Sequence, residues 1–152
     1  MQQVFSEWLC MIKTAEFWFH SAHHLTKGAG FSGDHVNLYG MIYSELQEEF
    51  DAAAERVLGL TGQEDLLCPQ KVVSQALEKL KEYPSPSNMS DHDIVLTAHA
   101  LILEYCLWEN NFHSRLDDMG ILTIGLDDLI SSNSSSHERY AYLLQQRSKR
   151  GL

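Results

Sequence analysis

Histidines and carboxylates gather in one stretch of the chain, residues 23–56, where two helical patterns meet at a glycine-rich turn. His24 precedes the turn and His35 follows it. Asp51 and Glu55 come later and are four residues apart, so they share one face of a helix. Imidazole and carboxylate ligands together suit Fe, Mn or Zn. The stretch therefore predicts a metal site, against the alternative that these polar side chains form a solvated surface.

The apolar patterns around these residues indicate where such a site would form. The first helix carries an apolar stripe, and His24 lies off it, one turn after His20 on the same side. Asp51 and Glu55 lie beside the stripe of the second helix. Ligands off the stripes cannot meet in the centre of a helical bundle. They could meet where two subunits pack second helix against second helix, which predicts a site shared between two copies of the chain.

Three known cofactor or metal motifs are excluded, one by its context and two because their spacing does not occur. GAGFSG, residues 28–33, matches the dinucleotide-binding spacing, but a helix precedes it where that motif needs a strand. No Glu is followed three residues later by His, which argues against a ferritin-type di-iron centre inside the bundle. No His-Glu-x-x-His occurs either. His92, His99 and His113 have no partner at metal spacing, so structural roles are expected for them.

Composition indicates one globular domain covering residues 1–152, with 44% hydrophobic residues and a net charge of −10. That charge argues against a protein that coats DNA by neutralising phosphates. The 3 cysteines form no metal-type pair and no even framework, which favours reduced thiols in a cytoplasmic protein. No secretory signal is expected, and no apolar run approaches the roughly 20 residues that span a bilayer.

Helical periodicity runs through the chain, and no strand pattern or internal repeat appears. Pro69 suits the start of a short helix, Ser90 with Asp93 resembles a capping box, and Thr123 suits an N-cap. Residues 133–136 are poor helix formers and predict a frayed or broken last helix. The successive helices are long, long, short, long and long. This order predicts an all-α four-helix bundle with a small helix in its crossover. The helices are expected over residues 3–27, about 32–60, 69–82 and 90–118, and a last helix follows a turn at residues 120–125.

The chain resembles the Dps-type miniferritins, the family of DNA-binding proteins from starved cells. The resemblance is carried by His24 near the end of the first helix, by IYSEL (Ile42 to Leu46) and by FDAAAERVL (Phe50 to Leu58). HERYAYLL, from His137 to Leu144, is similar to the fourth-helix pattern of that family. The order of the elements agrees over nearly the whole chain. The resemblance implies a ferritin-like fold with a short helix between the second and third long helices.

The resemblance also implies ligands for non-haem iron at a two-fold subunit interface. His24 of one subunit, with Asp51 and Glu55 of its partner, match the family's metal-binding and catalytic positions. His35 matches in type but lies one residue too far from Asp51, and the position of a further acid in the family falls on Tyr39 or Gly40, neither of which is acidic. An extra residue turns a helical side chain by about 100°. Three arrangements could still place a ligand correctly despite the extra residue: a later helix start, a π-bulge at Gly40, or replacement of His35 by Asp34.

The function that follows is Fe²⁺ oxidation by peroxide or oxygen and storage of the mineral in a hollow homo-oligomer, twelve-subunit by the family rule, with Zn or Mn as substitute metals. Acidic residues around the last turn resemble ion-entry pores in such shells. DNA binding has little support, because the N-terminus lacks a Lys-rich tail. The alternatives are a non-catalytic shell or DNA-protection protein with a degenerate metal site, and an unrelated helical bundle for protein interaction. The acidic residues are Asp117, Asp118, Asp127 and Asp128.

Overall fold

The computed structural model describes residues 2–149, which form helices and turns and contain no strand. The all-α class expected from the sequence is confirmed, while the ferritin-like four-helix arrangement stays a prediction. The chain separates into two compact units, Met1–Ile94 and Val95–Leu152. Its α-helices are α1 (Gln2–Leu25), α2 (Phe31–Asp34), α3 (Met41–Thr61), α4 (Pro69–Leu80), α5 (Asp91–Asp118) and α6 (Ile124–Ser148).

The core of the first unit is built on α1, which contacts both α3 and α4. Phe5, Trp8, Ile12 and Phe19 recur at helical spacing along α1 and are buried. Burying each large apolar side chain stabilises the fold by roughly 1.5–3 kcal/mol. The Trp18 Nε1–H donates to the Pro84 carbonyl at 2.9 Å, which fastens α1 to the chain after α4.

Between α1 and α3 the backbone passes through three kinds of helix. A 3₁₀ turn at Gly28–Gly30 leads into α2, and a π-helix at His35–Gly40 joins α2 to α3. The π-helix is one of the three arrangements left open by the sequence. Gly30, the last residue of the 3₁₀ turn, is the N-cap residue of α2, and no side chain caps this helix start.

In the second unit, α5 and α6 are joined by a turn in which Gly120 has a φ of +69°. Thr123 is confirmed as the N-cap of α6, since its Oγ1 accepts from the Leu126 N–H at 3.1 Å. The expected fraying or break at residues 133–136 is wrong, because α6 is continuous from Ile124 to Ser148. The weak helix propensity of a few polar residues is outweighed by the stripe of buried side chains on both sides of them. That stripe consists of Leu126, Ile130, His137, Tyr140 and Leu144.

Candidate metal centre

A buried carboxylate and a buried imidazole face each other in the second unit. Glu109 lies on α5 and His137 on α6, and their side chains are 2% and 0% exposed. The Glu109 Oε1 lies 2.7 Å from the His137 Nδ1. The ring of Tyr105 stacks on the His137 ring, with centroids 4.4 Å apart and an interplanar angle of 30°. The imidazole is therefore held between an aromatic ring and a carboxylate.

The helical repeat explains why these polar side chains are buried. Glu109 follows Tyr105 by four residues and precedes Phe112 by three, so it lies on the buried stripe of α5. His137 lies seven residues from both Ile130 and Leu144 on the stripe of α6. Burying an ionised group away from water costs several kcal/mol unless a partner or a metal compensates. The close contact between Glu109 and His137 is one such compensation, and both groups carry lone pairs that a metal ion could use.

Glu49 is a buried carboxylate of the first unit. It lies on the stripe of α3, three residues after Leu46, and is 7% exposed. In the second unit, Glu109 and His137 offer one carboxylate and one imidazole, a hard-to-borderline donor set that suits Fe, Mn or Zn. The residues present therefore fit a metal of the class expected from the sequence, although they are not the residues predicted.

The sequence contained a signal for this group that the Glu-x-x-His criterion missed. The stripes of α3 and α5 also run through Phe50 and Trp108, each one residue away from an acid. Both aromatic residues are only half-buried, whereas the neighbouring Glu49 and Glu109 are buried. Because 3.6 residues make a turn, adjacent positions can both fall within one stripe. Polar residues on an apolar stripe were therefore the informative feature.

The four residues predicted to bind iron lie at the surface of the first unit. His24 is exposed on α1, Asp51 and Glu55 lie on α3 beside its buried stripe, and His35 is half-buried in the π-helix. Within one chain, the described residues do not bring these four side chains into one ligand group. Their predicted site requires the partner subunit's helix as well. The interface site therefore stays a prediction.

His35 makes a reciprocal contact with His23 of α1. The His35 Nδ1 lies 2.6 Å from the His23 carbonyl oxygen, and the His23 Nδ1 pairs with the His35 carbonyl oxygen. The two rings stack with centroids 4.0 Å apart and planes 8° from parallel. Gly40, at the end of the π-helix, leaves room for them, since a Cβ there would lie 3.0 Å from the His23 Nδ1. This pair fastens the end of α1 to the π-helix.

A polar cleft of about 290 Å³ reaches Glu109 in the second unit. Serines of α6 line it, namely Ser131, Ser134 and Ser135. His113 also lines the cleft, and its Nε2 lies 2.6 Å from Asp127 Oδ1. His113 thus has the hydrogen-bonded role expected for it. The pore role of the acidic residues around the last turn stays a prediction.

The cysteines of the described chain are free thiols and half-buried, as Cys10, Cys68 and Cys106 form no disulfide. Burial raises the pKa of the Cys106 thiol to about 11, and the nearby Glu109 carboxylate adds to that shift. Burial also raises the pKa of Cys10. Thiols with a raised pKa are weak nucleophiles and weak metal ligands. The candidate centre is therefore one of oxygen and nitrogen donors.

Comparison with protein-family models and with curated proteins found no match. No helix in residues 2–149 combines the length and the apolar character needed to cross a bilayer. The functional assignment therefore depends on the residues themselves.

Proposed function

We propose that this protein binds Fe²⁺ as a substrate and oxidises it, as a ferritin-like protein of the miniferritin type. One observation carries the proposal: Glu109 and His137 are buried on facing stripe positions with 2.7 Å between Oε1 and Nδ1. Oxygen and nitrogen donors of this kind are those that non-haem iron prefers. The resemblance to Dps-type proteins favours iron over Mn or Zn.

The charge of the ligands favours the oxidised ion. Each Fe²⁺ that becomes Fe³⁺ gives up one electron and gains one positive charge, and carboxylates stabilise that added charge most strongly where water is scarce. Hydrogen peroxide is a sufficient acceptor: its O–O bond breaks as it takes two electrons, and with two protons it leaves as two waters. Two Fe²⁺ ions are consumed in each such turnover. Dioxygen is the other oxidant of suitable chemistry.

The cleft beside Glu109 supports entry of a hydrated cation. Ser131, Ser134 and Ser135 line it, and hydroxyl oxygens of serine can replace water around an incoming ion. Glu138 adds a carboxylate to the same lining. The serine-rich segment, unfavourable for a helix by propensity, is thus a suitable lining for an ion path.

Storage of the oxidised iron requires self-assembly, and we propose a homo-oligomer. Leu96, Leu103 and Leu107 repeat at seven and four residues on one side of α5, away from its buried stripe. Their side chains are 46%, 50% and 63% exposed. An exposed apolar row on a long helix is typical of a surface that another chain covers. Native mass measurement of the particle tests this part of the proposal separately from the chemistry.

The chemistry is tested by following Fe²⁺ oxidation in the wild type and in Glu109→Gln. Gln keeps the shape of the side chain but removes the charge. The rate should fall by at least the roughly 10–100-fold that loss of an outer-shell partner costs at metal sites. Glu104→Gln is the matched control, because Glu104 is an exposed carboxylate on the same helix. If wild type oxidises Fe²⁺ no faster than buffer, the proposal is wrong.

The inter-subunit site is the second candidate, because His24, Asp51 and Glu55 are all exposed, which leaves them open to another copy. The Asp51→Ala/Glu55→Ala variant separates the two sites. If it loses activity while Glu109→Gln keeps it, the interface is the oxidation site. If both variants lose activity, both sites take part in oxidation.

A further inference from the structure

Two imidazoles converge on the exposed side of α1. The Nε2 of His24 lies 3.3 Å from the Nε2 of His20, one helical turn earlier. Both side chains are exposed. Residues four apart on a helix are neighbours on one face, so the backbone places the two rings side by side. The pairing of the two Nε2 atoms requires more than spacing, since each ring must also turn its far nitrogen toward the other.

The separation of these two nitrogens matches that of two ligands on one metal ion. Zn–N bonds to histidine are about 2.0–2.1 Å long, and a tetrahedral angle between two of them places the nitrogens about 3.3–3.4 Å apart. The observed 3.3 Å agrees with that edge. Without a metal, two neutral imidazoles at this distance share a single hydrogen bond, with one nitrogen donating and the other accepting. Both states use the same ring positions.

Neighbouring rings hold the pair in place. Tyr43 of α3 stacks on His20, with centroids 4.4 Å apart and planes 26° from parallel. His23 contacts the edge of His24, at 4.8 Å and 60°. His23 is itself fixed by its reciprocal contact with His35. Side chains that are already ordered lose less conformational entropy when they bind a ligand.

We infer that His20 and His24 form a surface site for a divalent transition ion that prefers imidazole, such as Zn²⁺, Cu²⁺ or Ni²⁺. The ion binds both Nε2 atoms and keeps water at its remaining positions, because both rings face solvent. The site lies within one chain and contains no carboxylate. It therefore differs from the buried group with Glu109 and His137, and it gives His24 a metal-binding partner on its own helix.

The experiment is a Ni²⁺ and Cu²⁺ titration of the full-length protein at neutral pH. His20→Gln and His24→Gln should each weaken Ni²⁺ binding at least about tenfold, equivalent to about 1.4 kcal/mol. The electron paramagnetic resonance spectrum of Cu²⁺ bound to wild type should show coupling to two imidazole nitrogens, and to one in either variant. His92→Gln is the control, because it removes a histidine from the start of a different helix, α5, and it should leave both measurements unchanged.

The Asp51→Ala/Glu55→Ala variant decides between this pair and the inter-subunit site. For the pair, that variant binds Ni²⁺ like the wild type, and the affinity does not change with protein concentration. The inference is overturned if His20→Gln binds like wild type, or if the Asp51/Glu55 variant loses the site. Circular dichroism of each variant checks that α1 remains helical. None of these readouts depends on Fe²⁺ oxidation, so the two proposals can fail independently.

Discussion

Gly40→Ala tests whether the π-helix and the His23–His35 pair depend on a missing side chain. The backbone at Gly40 is ordinary right-handed helix, with φ −61° and ψ −44°, so alanine meets no conformational penalty there. The obstacle is steric. An alanine Cβ would lie 2.9 Å from the His35 carbonyl oxygen and 3.0 Å from the His23 Nδ1. One obstacle is backbone and the other is a ring in a close contact, so neither moves freely.

Gly59→Ala supplies the matched reference, because Gly59 lies on the exposed side of α3 and an alanine Cβ there would meet no atom within 4 Å. Alanine is favoured over glycine inside a helix by about 0.5–1 kcal/mol, and this gain applies to both variants. Gly40→Ala carries an added cost of overpacking, about 1–3 kcal/mol. It should therefore be about 1–3 kcal/mol less stable than Gly59→Ala.

Thermal unfolding followed by circular dichroism measures this difference. For a chain of this size, about 1 kcal/mol shifts Tm by about 2–4 °C. Gly59→Ala should unfold above the wild type and Gly40→Ala below Gly59→Ala. In a His23→Ala background the cost of Gly40→Ala should decrease, because one of the two obstacles is gone. Equal Tm values for the two glycine variants would refute the steric reasoning.

Two further predictions concern α6 and the thiol of α5. Thr123→Ala should destabilise the protein by about 1 kcal/mol through loss of the N-cap, measured by urea unfolding, whereas Ser132→Ala on the exposed side of α6 should change stability little. The folded-state pKa of Cys106 is raised to about 11 from 9.0, so its contribution to stability is complete below pH 9.0 and is lost as the pH rises toward 11. Cys106→Ser should remove that part of the alkaline loss of stability, and an unchanged alkaline profile would contradict the burial of the thiol.

Local chemistry explains which features could be predicted from the sequence. Pro69, Ser90 and Thr123 mark helix starts by their own side chains, and the structure places helices there, with the Asp93 N–H donating to the Ser90 Oγ at 3.1 Å. The π-helix was harder to predict, because the extra residue between His35 and Asp51 is an excess only relative to the Dps-type pattern that the chain resembles. The choice among the three arrangements depends on the contact between His23 and His35, which joins different elements.

The continuity of α6 and the buried acids share one explanation. Helix propensity is a sum of small local terms, and it predicted a break at residues 133–136. Burial of the stripe also stabilises the helix, through tertiary packing to which each buried position adds. Local helix propensity does not include this contribution, because no single residue provides it. Ile130 and Tyr140 hold the helix across the serines. The spacing of the stripe predicts which positions are buried, but it does not predict which residue types occupy them. Spacing alone therefore could not identify Glu109 or His137 as members of the stripe.

Charge on a buried stripe is therefore evidence about function and not only about packing. An apolar residue of similar size at the position of His137 or Glu109 would stabilise the core at least as well as a buried ion pair does. A protein selected only for stability has no reason to keep both. Retaining them is reasonable if a cation completes the group, because the ion then compensates for the water that both side chains lost. The exposed pair of His20 and His24 has no such burial cost, so its function must be measured directly by metal titration.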